Sequence, residues 1–170
     1  MRARVVLVAC FLVAATATAA AAADATISGL VVGVADGDTL TVLDAQYRQH
    51  RVRLAGIDAP EKRQAFGQRA KQNLSAMTYL RQADVQGGKF DRYGRIVGKV
   101  TVGGTDVNLR QVEVGLAWHY RRYAREQSPL DREAYAAAES AAKGALRGLW
   151  ALPSPTPPWE FRRRGARSRR

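Results

Sequence analysis

The stretch His50-Arg51-Val52-Arg53-Leu54-Ala55-Gly56-Ile57-Asp58-Ala59-Pro60-Glu61 decides how the chain folds. From His50 to Ile57, polar and apolar residues alternate. That is the period of a half-buried strand, with Val52, Leu54 and Gly56 on one side and Arg51, Arg53 and Ala55 on the other. Pro60 lacks an N–H for the ladder and ends the strand. Two acids, Asp58 and Glu61, thus stand where a strand gives way to a loop, downstream of an arginine on that strand.

Working outward, residues 26–34 are rich in Val and Ile and read as a strand. Asp36-Gly37-Asp38 has turn chemistry, and residues 39–43 return as a second strand. Beyond Pro60, Phe66, Ala70, Leu74, Met77 and Leu80 recur at three- and four-residue spacing, which predicts a helix with one apolar face. Strands are expected near 83–89 and 95–102, around a turn at Asp91-Arg92-Tyr93-Gly94. A short helix fits 107–115, with Leu109, Val112 and Leu116 on one side. Ser128, Pro129 and Asp131 spell the start of a last helix whose inward residues are Tyr135, Ala138, Ala142 and Ala145. Five strands and about three helices in so short a domain predict a small β-barrel with helices packed on it.

The two ends differ from this domain. Residues 1–23 begin with Arg2 and Arg4, continue through an apolar run from Val5 to Val13, and finish in alanines. This is the layout of a secretory signal peptide, with Ala21 and Ala23 positioned for cleavage before Asp24. The strongly apolar run is too short for a transmembrane helix. Cys10 is the only cysteine. Leu7-Val8-Ala9-Cys10 resembles a lipoprotein cleavage box, so lipid anchoring stands as a minor alternative to a secreted or periplasmic product. Residues 24–152 form the expected domain. Residues 153–170 are rich in Pro and Arg and are expected to be a disordered tail.

The whole chain carries 27 Lys and Arg against 15 Asp and Glu, a net +12. Without residues 1–23 the balance is 25 against 15, or +10. Such an excess favours a polyanionic partner. Embedded in it are three acidic clusters, at Asp36-Gly37-Asp38, at Asp58 with Glu61, and at Asp91, together with Arg53 and Arg95. Carboxylates hold hard cations and arginine forks hold phosphate oxygens, so this combination suits phosphodiester cleavage. Each cluster alone has a plainer reading. Asp36-Gly37-Asp38 is by itself a surface turn, and it is not an EF-hand, because Leu40, Thr41 and Tyr47 occupy positions that loop needs for a ligand, a glycine and a glutamate. Arg53 alone would be a solvated strand residue. Tyr93 and Tyr123 suit packing as well as base stacking, and His50 and His119 are too scattered to make a site.

Taken together, Asp-Gly-Asp-Thr at 36–39, Arg-Leu-x-x-Ile-Asp-x-Pro-Glu at 53–61 and Asp-Arg-Tyr-Gly-Arg at 91–95 resemble the staphylococcal-nuclease-like, or thermonuclease, family in order and approximate spacing, over about residues 27–150. The resemblance implies a five-stranded OB-fold barrel with about three α-helices and calcium-dependent, largely sequence-nonspecific hydrolysis of DNA and RNA. It implies metal binding by Asp38, Asp58 and the backbone carbonyl of Ala59, with Asp36 behind them. It implies catalytic roles for Glu61 as general base and for Arg53 and Arg95 as stabilisers of the phosphorane-like transition state. Arg92, Tyr93 and Tyr123 match residues near the nucleotide. The expected state is a monomer without stable membrane insertion. Ala59 departs from the family's threonine, where only the carbonyl is needed, and the segment 118–123 aligns less closely. Some relatives keep the barrel and lose the acids, so a non-catalytic nucleic-acid-binding module is the alternative; Asp38, Asp58 and Glu61 argue against it.

Overall fold

A computed structural model describes residues 26–167. The expected signal segment, with Ala21, Ala23 and Cys10, lies outside the described residues, as do residues 168–170.

The fold is a closed barrel of five strands. Strand β1 (Thr26–Val34) pairs antiparallel with β2 (Thr39–Asp44), and β2 pairs with β3 (Gln49–Leu54). The other edge of β1 takes β5 (Gln82–Phe90), which pairs with β6 (Ile96–Val102). The barrel closes where β6 runs parallel to β3, matching Val52 to Ile96 and Leu54 to Gly98. Closure pairs β3 with β6, so the five-stranded sheet wraps on itself. A shift in register between Val31 and Gly33 bends β1, as a closed barrel requires. The interior is filled by Val31, Leu40, Val42, Val52, Leu54, Val85 and Val100, which are fully or almost fully buried. Val52 and Leu54 among them are on the side that the alternation read from the sequence set apart from Arg51 and Arg53.

Short strands and helices complete the molecule. β4 (Ile57–Asp58) pairs with β8 (Trp118–His119), and β7 (Thr105–Asp106) folds back antiparallel on β6. Helix α1 (Gly67–Thr78) buries Ala70 and Leu74, and α2 (Val107–Glu113) buries Val107 and Val112. The expected α1 face extends too far at both ends. Phe66 and Leu80 have left-handed backbone, with φ of 67° and 57°. Leu80 is exposed, because its N–H turns to the carbonyl of Val31 as the chain enters β5. Helix α3 (Pro129–Gly144) starts as expected: Ser128 Oγ accepts from the Asp131 N–H at 3.0 Å. It buries Tyr135 and Ala142, but Ala145 lies beyond it and is exposed.

Two buried amides tie the barrel to its helices. Gln111 on α2 donates to the carbonyls of Gly37 (2.7 Å) and Ala70 (2.9 Å) and accepts from Asn73 (2.7 Å). It thereby fixes the Asp36-Gly37-Asp38 turn against α1. Gly37 is needed at this close approach: a Cβ there would lie 2.5 Å from that of Ala70 and 2.7 Å from that of Ala59. Asn108 works at the seam, donating to the carbonyls of Ala55 and Gly98 and accepting from the Val100 N–H.

The C-terminal segment departs from expectation. Residues 158–167 form a fourth helix, α4 (Pro158–Arg167), rather than disordered chain. Pro158 suits a first helical turn. Trp159 supplies the apolar anchor, lying flat on Tyr120 with ring centroids 5.3 Å apart and edge-on to Trp118 at 6.4 Å. Among the described residues, no helix is long and apolar enough to cross a membrane.

Candidate active site

Barrel closure brings the three acidic clusters to one cleft of about 1380 Å³. Its lining includes Asp36 and Asp38 from the β1–β2 turn, Arg53 from β3, and Asp58, Ala59 and Glu61 from the chain leaving the barrel. Arg92, Tyr93 and Arg95 enter from the β5–β6 turn, and Tyr123 from the opposite rim. Every site residue expected from the sequence therefore faces this one cavity.

Asp38 is the best-anchored acid. Its carbonyl accepts from Leu54 N–H at 2.8 Å, which sets the turn against β3. Its carboxylate accepts from the Ala59 N–H (2.9 Å) and the Thr39 hydroxyl (3.1 Å), and pairs with Arg53 at 2.5 Å. Burial pushes this carboxyl up, but the Arg53 guanidinium and the Ala59 amide outweigh it, and the net shift is downward. Asp36 accepts from the Asp38 N–H and, among the described residues, pairs with no cation. Burial and the neighbouring Asp38 charge raise it to about 6.

Arg53 spans the two inner acids, reaching Asp38 on one side and Asp58 Oδ1 at 2.9 Å on the other. Its side chain is only 15% exposed. Burial disfavours its charge, but Asp38 and Asp58 more than offset that and raise its pKa. Asp58 is fully buried. Burial raises it, and Arg162 and Arg53 recover only part of that shift.

Arg95 is held by Asp91, which accepts from its Nε at 2.7 Å and from the backbone N–H groups of Tyr93 and Arg95. Gly94, at φ 71°, lets the turn fold back. From there Arg95 donates to Thr39 Oγ1 at 3.1 Å, one hydroxyl removed from Asp38. Tyr93 is exposed, with the guanidinium groups of Arg92 and Arg95 at 4.8 and 5.4 Å from its ring centroid. Tyr123 is also exposed and meets Tyr120 edge-on. Neither tyrosine is core. His50 pairs with Asp44, away from the cleft lining. His119 is buried against Gln127.

The sequence reading missed Arg162. Its fork takes Asp58 Oδ2 at 2.8 Å with one nitrogen and Glu61 Oε1 at 2.7 Å with the other. The available signal was Pro157-Pro158-Trp159, a helix start followed by a large apolar anchor.

The donor chemistry fits a hard cation. Asp38 and Asp58 are oxygen donors close enough to share one guanidinium, and positive charge already sits against Asp58 from both sides. Among the described residues, no three His, Cys, Asp or Glu side chains gather into a complete cage. An ion here would thus draw further oxygens from backbone, water or substrate, which calcium accepts readily.

Comparison with known proteins agrees with this geometry. Residues 51–152 match the family described as staphylococcal nuclease homologue. A micrococcal nuclease of Shigella flexneri is 42% identical over 144 residues, covering 79% of this chain and 80% of its own. The protein ParB of Escherichia coli is 41% identical over 148 residues, covering 82% and 81%. An uncharacterized endonuclease of Haemophilus influenzae is 41% identical over 133 residues, covering 78% and 71%.

Proposed function

The chain belongs to the staphylococcal nuclease family and is a phosphodiester-cleaving nuclease; on that premise we propose that it cuts DNA and RNA with little sequence preference and depends on calcium. The observation that carries this reading is the convergence of Asp38, Asp58, Glu61, Arg53 and Arg95 on one cleft. Asp38, Asp58 and the Ala59 carbonyl would hold the ion, with Asp36 adding negative charge behind them. When bound, the ion polarises the scissile phosphate and acidifies water.

The remaining steps belong to the chain's own side chains. Glu61, at the partly exposed mouth of the cleft, takes a proton from the attacking water or orients it. Arg53 grips phosphate oxygens from the buried side, where low dielectric strengthens the contact. Arg95, steadied by Asp91, meets the charge that grows on phosphorus from the other side. Each well-placed donor contributes roughly 3 kcal/mol to such a transition state. Arg92, Tyr93 and Tyr123 hold the flanking nucleotide by charge and stacking. These contacts read backbone and ring faces rather than base edges, hence the low specificity. The basic and apolar N-terminus supports export to the periplasm or medium, where the protein would act as a monomer.

The decisive test is digestion of single-stranded DNA, duplex DNA and RNA by the protein beginning at Asp24. All three should be degraded with calcium and spared with chelator. Undiminished cleavage under chelator would remove the ion from the mechanism, and inert protein in every condition would remove catalysis. Recovery of chains starting near Asp24 from outside the cytoplasm would test export.

A further inference from the structure

Helix α4 contributes nothing to the barrel core, yet it crosses the site. Its first turn is anchored by Trp159 on Tyr120 and Trp118, with the Gln64 side chain donating to the Thr156 carbonyl just before it. One turn on, Arg162 is aimed into the acids. Most of the remaining helix surface, from Phe161 to Ala166, is exposed.

The contact of Arg162 is specific. It takes Asp58 Oδ2, the oxygen that Arg53 leaves, at 2.8 Å, and reaches Oδ1, which Arg53 holds at 2.9 Å, only at 3.3 Å. It also takes Glu61 Oε1. Both oxygens of a carboxylate expected to bind the ion are therefore engaged by guanidinium, and so is the group expected to meet the water. Arg53 cannot leave without abandoning the buried Asp38. Arg162 is 45% exposed on a lightly held helix and can swing into solvent.

We propose that Arg162 is an internal substitute for the divalent ion, neutralising Asp58 and Glu61 in the ion-free protein, and that ion binding displaces it together with α4 and uncovers the cleft. This rests on the reading that Asp38 and Asp58 hold the ion. Arg162 then sets how much calcium the nuclease needs. It also adds to the charge compensation that Arg53 already gives Asp58 and neutralises the partly exposed Glu61 while no ion is bound. Binding to a protein whose open form is populated one-tenth of the time is weakened about tenfold.

The test is calorimetric titration of the full mature chain with calcium, run beside hydrogen exchange of residues 158–167. Arg162→Gln should bind calcium about tenfold more tightly than the parent. Trp159→Ala, which loosens α4 without touching the acids, should shift affinity in the same direction. Arg163→Gln removes the same charge from a neighbouring exposed position and should leave affinity unchanged. In the parent, exchange in α4 should quicken as calcium saturates. Equal affinity in the parent and Arg162→Gln would overturn the proposal, as would an equal gain in Arg163→Gln or unchanged exchange in α4. Asp58→Asn separates the two readings: it should weaken binding severely, and calcium affinity unaffected by it would instead overturn the ion site itself.

Discussion

Two arginines meet Asp58, and they are held in opposite ways. Arg53 rises from β3, on the cleft side of the barrel wall, with its fork shared between Asp38 and Asp58. Arg162 comes from a C-terminal helix fastened by Trp159 on Tyr120 and Trp118 and by the Gln64–Thr156 hydrogen bond just before it, and its fork is shared between Asp58 and Glu61. The first contact is backed by the barrel wall, since Arg53 stands on β3 and its side chain is only 15% exposed. The second can open with little effect on the core. The comparison teaches that one acid cluster can have a permanent cationic wall and a removable one, and that only the removable one covers Glu61.

The largest expected effect lies on the removable side. Glu61→Gln keeps the shape and the hydrogen bond to Arg162 but cannot accept a proton. Turnover should fall by about 10²–10⁴, the usual worth of a positioned base, with nucleotide affinity nearly intact. Steady-state kinetics beside inhibitor binding would show this split, and parent-like turnover would take Glu61 out of the mechanism. Next comes the permanent wall. Arg53→Met removes the only cation that pairs with Asp38 among the described residues and leaves two buried acids short of charge. It should cost about 3–5 kcal/mol in urea unfolding without calcium, and calcium should restore part of that loss. A loss below about 1 kcal/mol would mean that Arg53 is no more structural than Arg162.

A smaller effect concerns Asp91, which orients Arg95. Burial pushes its carboxyl up, but the Arg95 backbone and guanidinium and the Tyr93 N–H outweigh that, so the folded-state pKa is depressed. A depressed carboxyl stabilises the fold above its unfolded pKa of about 3.9 and loses that contribution as pH falls through the folded value. Asp91→Asn should therefore cost about 1 kcal/mol at pH 7, and the difference from the parent should vanish in strong acid. A difference that grew on acidification would reverse the sign assigned here.

The legible part of the molecule was the part encoded locally. Alternation around Val52 and Leu54 marked a strand, the Ser128-to-Asp131 box marked a helix start, and the acids and arginines of the cleft stood in short motifs. What holds these pieces together was not legible. Gln111 and Asn108 look like solvent-facing positions of a short helix, and nothing near them in sequence says that their partners are the carbonyls of Gly37, Ala55, Ala70 and Gly98. The end of the chain failed for the opposite reason. Four prolines and a run of arginines suggested a segment with nothing to bury, but Trp159, the Gln64–Thr156 hydrogen bond and the Arg162 ion pairs seat it. Arg162 became a site residue only through that seating, 101 positions away from Glu61.

The smallest effect is the sharpest comparison. Arg162 and Arg53 touch the same carboxylate at similar distances, 2.8 and 2.9 Å, so contact length alone would predict similar contributions to stability. Exposure predicts otherwise. Arg162 is three times as exposed as Arg53, 45% against 15%, and its loss leaves Asp58 still paired. Arg162→Gln should therefore change unfolding free energy by less than about 1 kcal/mol, as partly solvated pairs do. Calcium should also protect the variant from urea more strongly than it protects the parent, since the ion no longer competes with a guanidinium. A loss comparable to that of Arg53→Met would make α4 part of the structural core, and the distinction between a permanent and a removable wall would disappear.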